Sequence, residues 1–82
     1  MMELKDTMEM MQSADYKERF KAEYFQLSIR LEKLNNLLNN WDNLDFTPTC
    51  TKEILQHQAE IMEEYLAILC ERARIEKVEL SL

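Results

Sequence analysis

Gln58, Tyr65 and Arg72 recur every seven residues through "QHQAEIMEEYLAILCERARIE". At about 100° per residue they form one stripe along a helix. The stripe falls between two apolar rows, one of Ile54, Ile61, Ile68 and Ile75 and one of Leu55, Met62 and Leu69. An amide, a phenol and a guanidinium on the face expected to be driest allow two readings. In one, they are a buried hydrogen-bonding row that sets helix register, as single polar residues do in coiled coils, with Glu23 or Glu76 as partner to Arg72. In the other, they line a cavity between helices or protomers that suits a planar, anionic ligand. Aromatic rings stack on a base, Arg forks onto a phosphate, and Gln reads a base edge. The formal charge of −6 does not decide between them, because local groups govern an enclosed site.

Catalytic chemistry finds little support in these residue types. His57 is the only histidine, so no site of two histidines can form. Cys50 and Cys70 lack the paired spacing of a zinc site. A Cys50–His57 nucleophile pair requires the preceding loop to fold back onto the helix. Glu60, Glu63, Glu64 and Glu71 lie on the polar side and read as a solvated face. The expectation is a protein without catalytic residues, metal or cofactor.

Composition narrows the class further. The 82 residues include no Gly and a single Pro, Pro48. Glycine-rich phosphate loops and dinucleotide fingerprints are thereby excluded, since both need backbone without a Cβ. The acidic balance argues against binding DNA or RNA polymers. No segment approaches a transmembrane run or a signal-peptide core, so no membrane partner is expected. Two cysteines are too few for a disulfide framework and suit a reducing cytoplasm.

The elements that must carry the stripe follow from periodicity. Phe20, Tyr24, Leu27, Leu31, Leu34, Leu38 and Trp41 alternate spacings of four and three, a coiled-coil-like seam. Asp15 caps its start, and Glu18 three residues on predicts a capping box. Asn35, Asn36, Asn39, Asn40 and Asn43 erode helical propensity at its end. In the connection, Thr47 before Pro48 is extended and Thr49 or Thr51 caps the next helix. Leu44 and Phe46 are expected to plug the open end of the helix pair.

The resulting prediction is all-α: two long antiparallel helices, about 15–42 and 51–77, in a helical-hairpin domain spanning 15–82. Residues 1–14 form a flexible or short helical start rich in Met. Val78, Leu80 and Leu82 alternate with polar residues, which predicts a short extended tail over 78–82, laid against a neighbouring protomer or free. The apolar arc of the second helix spans about 180°, more than one partner helix covers. Phe25 and Ile29 add apolar surface opposite the seam of the first helix. Both surpluses predict a homo-oligomeric bundle.

"YKERFKAEYFQLSIRLEKL", "LDFTPTC" and "LQHQAEIMEEYLAILCERARIE" resemble a family of very small helical-hairpin proteins of crAss-like gut phages and other phages. Tyr16, Arg19 and Glu23 match that family's opening motif. Gln58, Met62, Tyr65, Leu69 and Arg72 match its second-helix motif, while Thr51 stands where many relatives start the helix with Pro. The hairpin is also loosely similar to phage anti-defence sponges, which sequester the cyclic nucleotide signals of CBASS and Thoeris immunity. That resemblance implies a non-enzymatic, cytoplasmic protein in the infected cell whose partners are a cyclic nucleotide and other copies of itself. It further implies that Tyr16, Phe20 and Tyr65 stack on bases or ribose, Arg19 and Arg72 hold phosphate, and Gln58 contacts a base edge. The alternative is an oligomeric helical module that uses the Phe25–Ile29 patch and the Met-rich start to bind a host protein.

Overall fold

The computed structural model describes residues 2–80. A 3-10 turn, Leu4–Thr7, runs into the one-turn helix α1, Met8–Met11. The long helices α2, Tyr16–Asn39, and α3, Lys52–Glu76, follow, separated by the 3-10 turn Trp41–Asn43. Among the described residues there is no strand, and no helix is long and apolar enough to cross a membrane.

Local chemistry sets the helix ends. The Asp15 carboxylate accepts the Lys17 N–H at 2.9 Å and caps α2. The expected capping box does not form, because the nearer Ser13 hydroxyl accepts the Asp15 N–H at 3.0 Å. Glu18 instead pairs with Lys21 on the next turn, at 3.6 Å. At the other end the Asn40 side chain donates to the Asn36 carbonyl at 2.8 Å. This ends α2 three residues before the predicted boundary and leaves Trp41 to a tighter turn.

Thr51 caps α3 by accepting the Ile54 N–H at 3.3 Å. At the C-terminal end Lys77 adopts left-handed backbone, φ 58° and ψ 46°. The Val78 N–H then reaches the Ala73 carbonyl at 2.9 Å, the six-to-one bond of a Schellman ending. This turn sends the tail back over its own helices. Val78 is buried in the core of its own chain, and Leu80 packs against that core. Leu82 lies outside the described residues.

The core runs along the α2–α3 contact. Phe20 and Leu27 of α2 meet Leu69 and Ala73 of α3, with Tyr24, Met62 and Leu66 packed around them. Alanines at 59 and 73, both buried, keep the helix axes close. The Leu55–Met62–Leu69 side of α3 thus faces α2. The isoleucine row does not: Ile54, Ile61, Ile68 and Ile75 remain 59, 50, 59 and 63% exposed.

The N-terminal turns lie on the far side of α2. Thr7 has no exposed surface; its hydroxyl accepts from the Gln26 amide at 2.9 Å and donates to the Leu4 carbonyl at 2.7 Å. Phe25 and Ile29, expected to be surplus, are half-buried. Phe46 does not plug the helix pair. A bend at Asp45–Phe46 turns its ring outward, 57% exposed, while Leu44 and Pro48 are half-buried.

Candidate ligand site

Tyr16 opens α2, and Phe20 follows one turn later on the same side. Their rings meet edge to face, with centroids 6.3 Å apart. From α3, Arg72 lays its guanidinium over the Phe20 ring, 4.9 Å from the centroid. Stacking on an aromatic face suits a planar, weakly hydrated cation. Glu76, one turn further along α3, accepts from Nε at 2.8 Å and from Nη2 at 3.4 Å. Of the five N–H donors of a guanidinium, both on Nη1 and one on Nη2 remain for another partner.

The next contact across the helices belongs to Tyr65, whose hydroxyl donates to the Glu23 carboxylate. That bond, with lesser contributions from partial burial and the charge of Glu23, holds the phenol above its ordinary pKa of 10.0. The Arg72 charge works in the opposite direction. Tyr65 is 43% exposed and Arg72 is also exposed. The stripe is therefore an open edge of the α2–α3 groove and not a buried row. Of the partners expected for Arg72, Glu76 takes it and Glu23 takes the phenol.

The structure brings Tyr16, Phe20 and Arg72 into contact, with Tyr65 two turns from Arg72 along α3 and within reach of its charge. It corrects the role of Phe20, which is 3% exposed and covered by Arg72, so its ring belongs to the core and offers no free face to a ligand. Arg19 turns away, its Nη1 donating to the Ser13 carbonyl at 2.8 Å. Gln58 is exposed two turns from Tyr65, and among the described residues its side chain makes no hydrogen bond. Glu23 joins the cluster in a part the sequence did not assign. Its place one turn from Phe20 on the seam side was the available signal.

In charge, the cluster holds one cation, Arg72, against two carboxylates, Glu23 and Glu76. A single chain thus presents an aromatic, Arg-tipped edge with little net pull on an anion. The hollow of about 230 Å³ lined by Met2, Glu3, Ile29, Glu32, Lys33 and Asn36 lies elsewhere, between the N-terminal turns and α2. It shares no residue with the stripe.

No curated protein and no solved structure matches the chain. A family model does: residues 14–75 match Sequestin, a span that begins beside the Asp15 cap and ends beside Glu76. That match contains α2, all of α3 but its last residue, and every residue of the stripe, and it covers well over half of the sequence, so the chain belongs to the Sequestin family.

Proposed function

We propose that this protein is a phage anti-defence sponge that binds a cyclic nucleotide immune signal and holds it without cleaving it. The signal class is a cyclic oligonucleotide or a cyclic ADP-ribose isomer. The observation that carries the reading is Arg72. Its guanidinium is held by Phe20 beneath and Glu76 beside, with donors left over, and the exposed Tyr65 lies two turns back along α3 within reach of its charge. Such a pairing suits one phosphate and one base or ribose. The family name, which denotes sequestration, supports the same direction. Homo-oligomerisation belongs to this reading, because an open edge whose one cation already pairs with Glu76 needs a second surface to enclose a ligand.

A protein-interaction module is the second reading, favoured by the exposed isoleucine row of α3. The half-buried Phe25 and Ile29 beside the N-terminal turns offer it less.

Thermal unfolding against a panel of cyclic di- and trinucleotides and cyclic ADP-ribose isomers tests the proposal. A ligand at ~100-fold excess over its dissociation constant stabilises the folded protein by about 2.7 kcal/mol, and each kcal/mol raises Tm by about 4–8 °C in a domain of this size. The ligand should leave unchanged on heating. Arg72→Ala should remove most of the shift, a charged hydrogen bond being worth about 1.5–3 kcal/mol. Lys33→Ala should leave it intact; loss there instead would move the site to the N-terminal hollow. A panel with no shift at all ends the sponge reading.

A further inference from the structure

Four isoleucines, spaced seven apart over most of α3, are each at least half exposed. A folded monomer of 9.9 kDa exposes about 5,200 Å² by the usual scaling with mass, whereas this chain exposes 6124 Å². The excess, roughly 900 Å², is close to the ~800 Å² that one partner buries in a standard interface. The radius of gyration agrees: 14.8 Å against about 12 Å for a compact chain of this length. The surplus surface is the amount a stable pair covers.

The occupant can be identified from the charge along α3. Residues 52–64 carry Lys52 against Glu53, Glu60, Glu63 and Glu64, a net of −3. Residues 65–77 carry Arg72, Arg74 and Lys77 against Glu71 and Glu76, a net of +1. A second α3 laid parallel sets the acidic halves together. Laid antiparallel, it sets each acidic half on a basic one and opposes the helix dipoles favourably. The isoleucine row fits that direction without a shift, because its spacing is symmetric about its midpoint. Ile54 meets the partner's Ile75, and Ile61 meets the partner's Ile68.

We infer that α3 is a self-docking surface on which two copies pair antiparallel along this row, and that the ligand site is completed by the pair. The pairing stands on the row, the area and the charge; the completed site rests on the sponge reading above. Under such a two-fold axis each flank of the row faces the same flank of its partner. Gln58 therefore lies opposite the partner's Arg72, and Tyr65 meets the partner's Tyr65 at the axis. The amide that stands alone in one chain gains a guanidinium neighbour, and two equivalent sites result. On the other flank His57 meets the partner's Glu71. The one like-charge meeting, Glu64 with its own copy, falls at a solvent-exposed rim where salt screens it.

Sedimentation and native mass spectrometry of the ligand-free protein test the pairing apart from the ligand. The expected mass is twice that of one chain at tens of micromolar, halved in Ile61→Glu with helical circular dichroism retained. Ile68→Asn, a milder change at an equally exposed position, serves as the second variant. Direction is read by disulfide trapping in a Cys50→Ser/Cys70→Ser background. Mixed Ile61→Cys and Ile68→Cys chains should cross-link to each other, and neither should cross-link to itself. A wild-type monomer, an unchanged mass in both folded variants, or Ile61→Cys homodimers would each overturn the inference. A dimer with these properties that binds no nucleotide keeps the pairing and removes only the completed site.

Discussion

The Tyr65 hydroxyl donates to the Glu23 carboxylate across the two long helices, joining residues 42 apart in sequence. This bond ties α3 to α2 at the edge of the groove, outside the apolar core. It also places a titratable group where folding and ionisation are linked.

Tyr65→Phe should lower stability at pH 7 by roughly 0.5–1 kcal/mol, the low end for a hydrogen bond because the site is partly solvated. The sign with pH follows from the raised phenol pKa. In the unfolded chain the group ionises near 10.0, and in the folded protein at a higher value. Its contribution is full below 10 and is lost as pH rises through the folded value. Urea unfolding of both proteins between pH 7 and 11 should show the gap closing on the alkaline side. Tyr24, also raised, first by burial and then by Cys70, is common to both and cancels. A gap that persists unchanged to pH 11 would assign the effect to packing.

Lys77→Gly should stabilise the protein. Left-handed backbone costs a residue with a Cβ roughly 1–2 kcal/mol, and Lys77 is the one described non-glycine residue there. Glycine removes that strain but adds freedom to the unfolded chain, so the expected net gain is about 0.5–1 kcal/mol. A shift of the urea midpoint to lower concentration would show that the Lys77 side chain contributes more than its backbone costs.

Leu69→Ala should be among the most damaging single changes. Leu69 is 1% exposed at the centre of the core, and such truncations cost about 2–5 kcal/mol. For a domain of marginal stability that is a large share of the total. Ile68→Ala, its exposed neighbour, should cost far less in the isolated chain. Comparable Tm losses for the two at low protein concentration would contradict this division of the apolar arc.

Thr7→Val keeps the shape of the side chain and removes the hydroxyl that holds Gln26 and the Leu4 carbonyl. Of the two bonds lost, the one from Gln26 joins the turns to α2, and at about 1 kcal/mol its loss should raise the open population of the N-terminal turns about fivefold. Tryptic cleavage at Lys5 should quicken by that factor while Tm changes little. Equal cleavage rates would mean that apolar contacts alone dock the segment.

Helix positions were readable because their causes are local. The Asp15 and Thr51 caps, the asparagine run and the four-and-three seam act within a few residues of themselves. The destination of each stripe on α3 was not local. An apolar arc about 180° wide leaves open which half faces α2, and the choice fell to the row containing Leu69 with the small Ala59 and Ala73 beside it. The stripe consequently became an open edge. Glu23 could have reached either Arg72 or Tyr65, and only the register of two antiparallel helices distinguishes them. Phe46 shows the same limit in a loop, where one bend at Asp45 reverses the side on which a ring emerges.

The Arg72–Glu76 pair has a consequence for which molecules can stay. Glu76 is tethered one turn away, so its carboxylate competes for the guanidinium as an intramolecular partner. An incoming monocarboxylate offers the same chemistry without the tether and must displace Glu76 to use the same edge. A phosphate ester brings several oxygens and can take the unused Nη1 edge while Glu76 keeps its own side. On the proposed reading, a ligand with several anionic oxygens would be favoured at Arg72 over singly charged anions, and the bar to entry would be set within the helix itself.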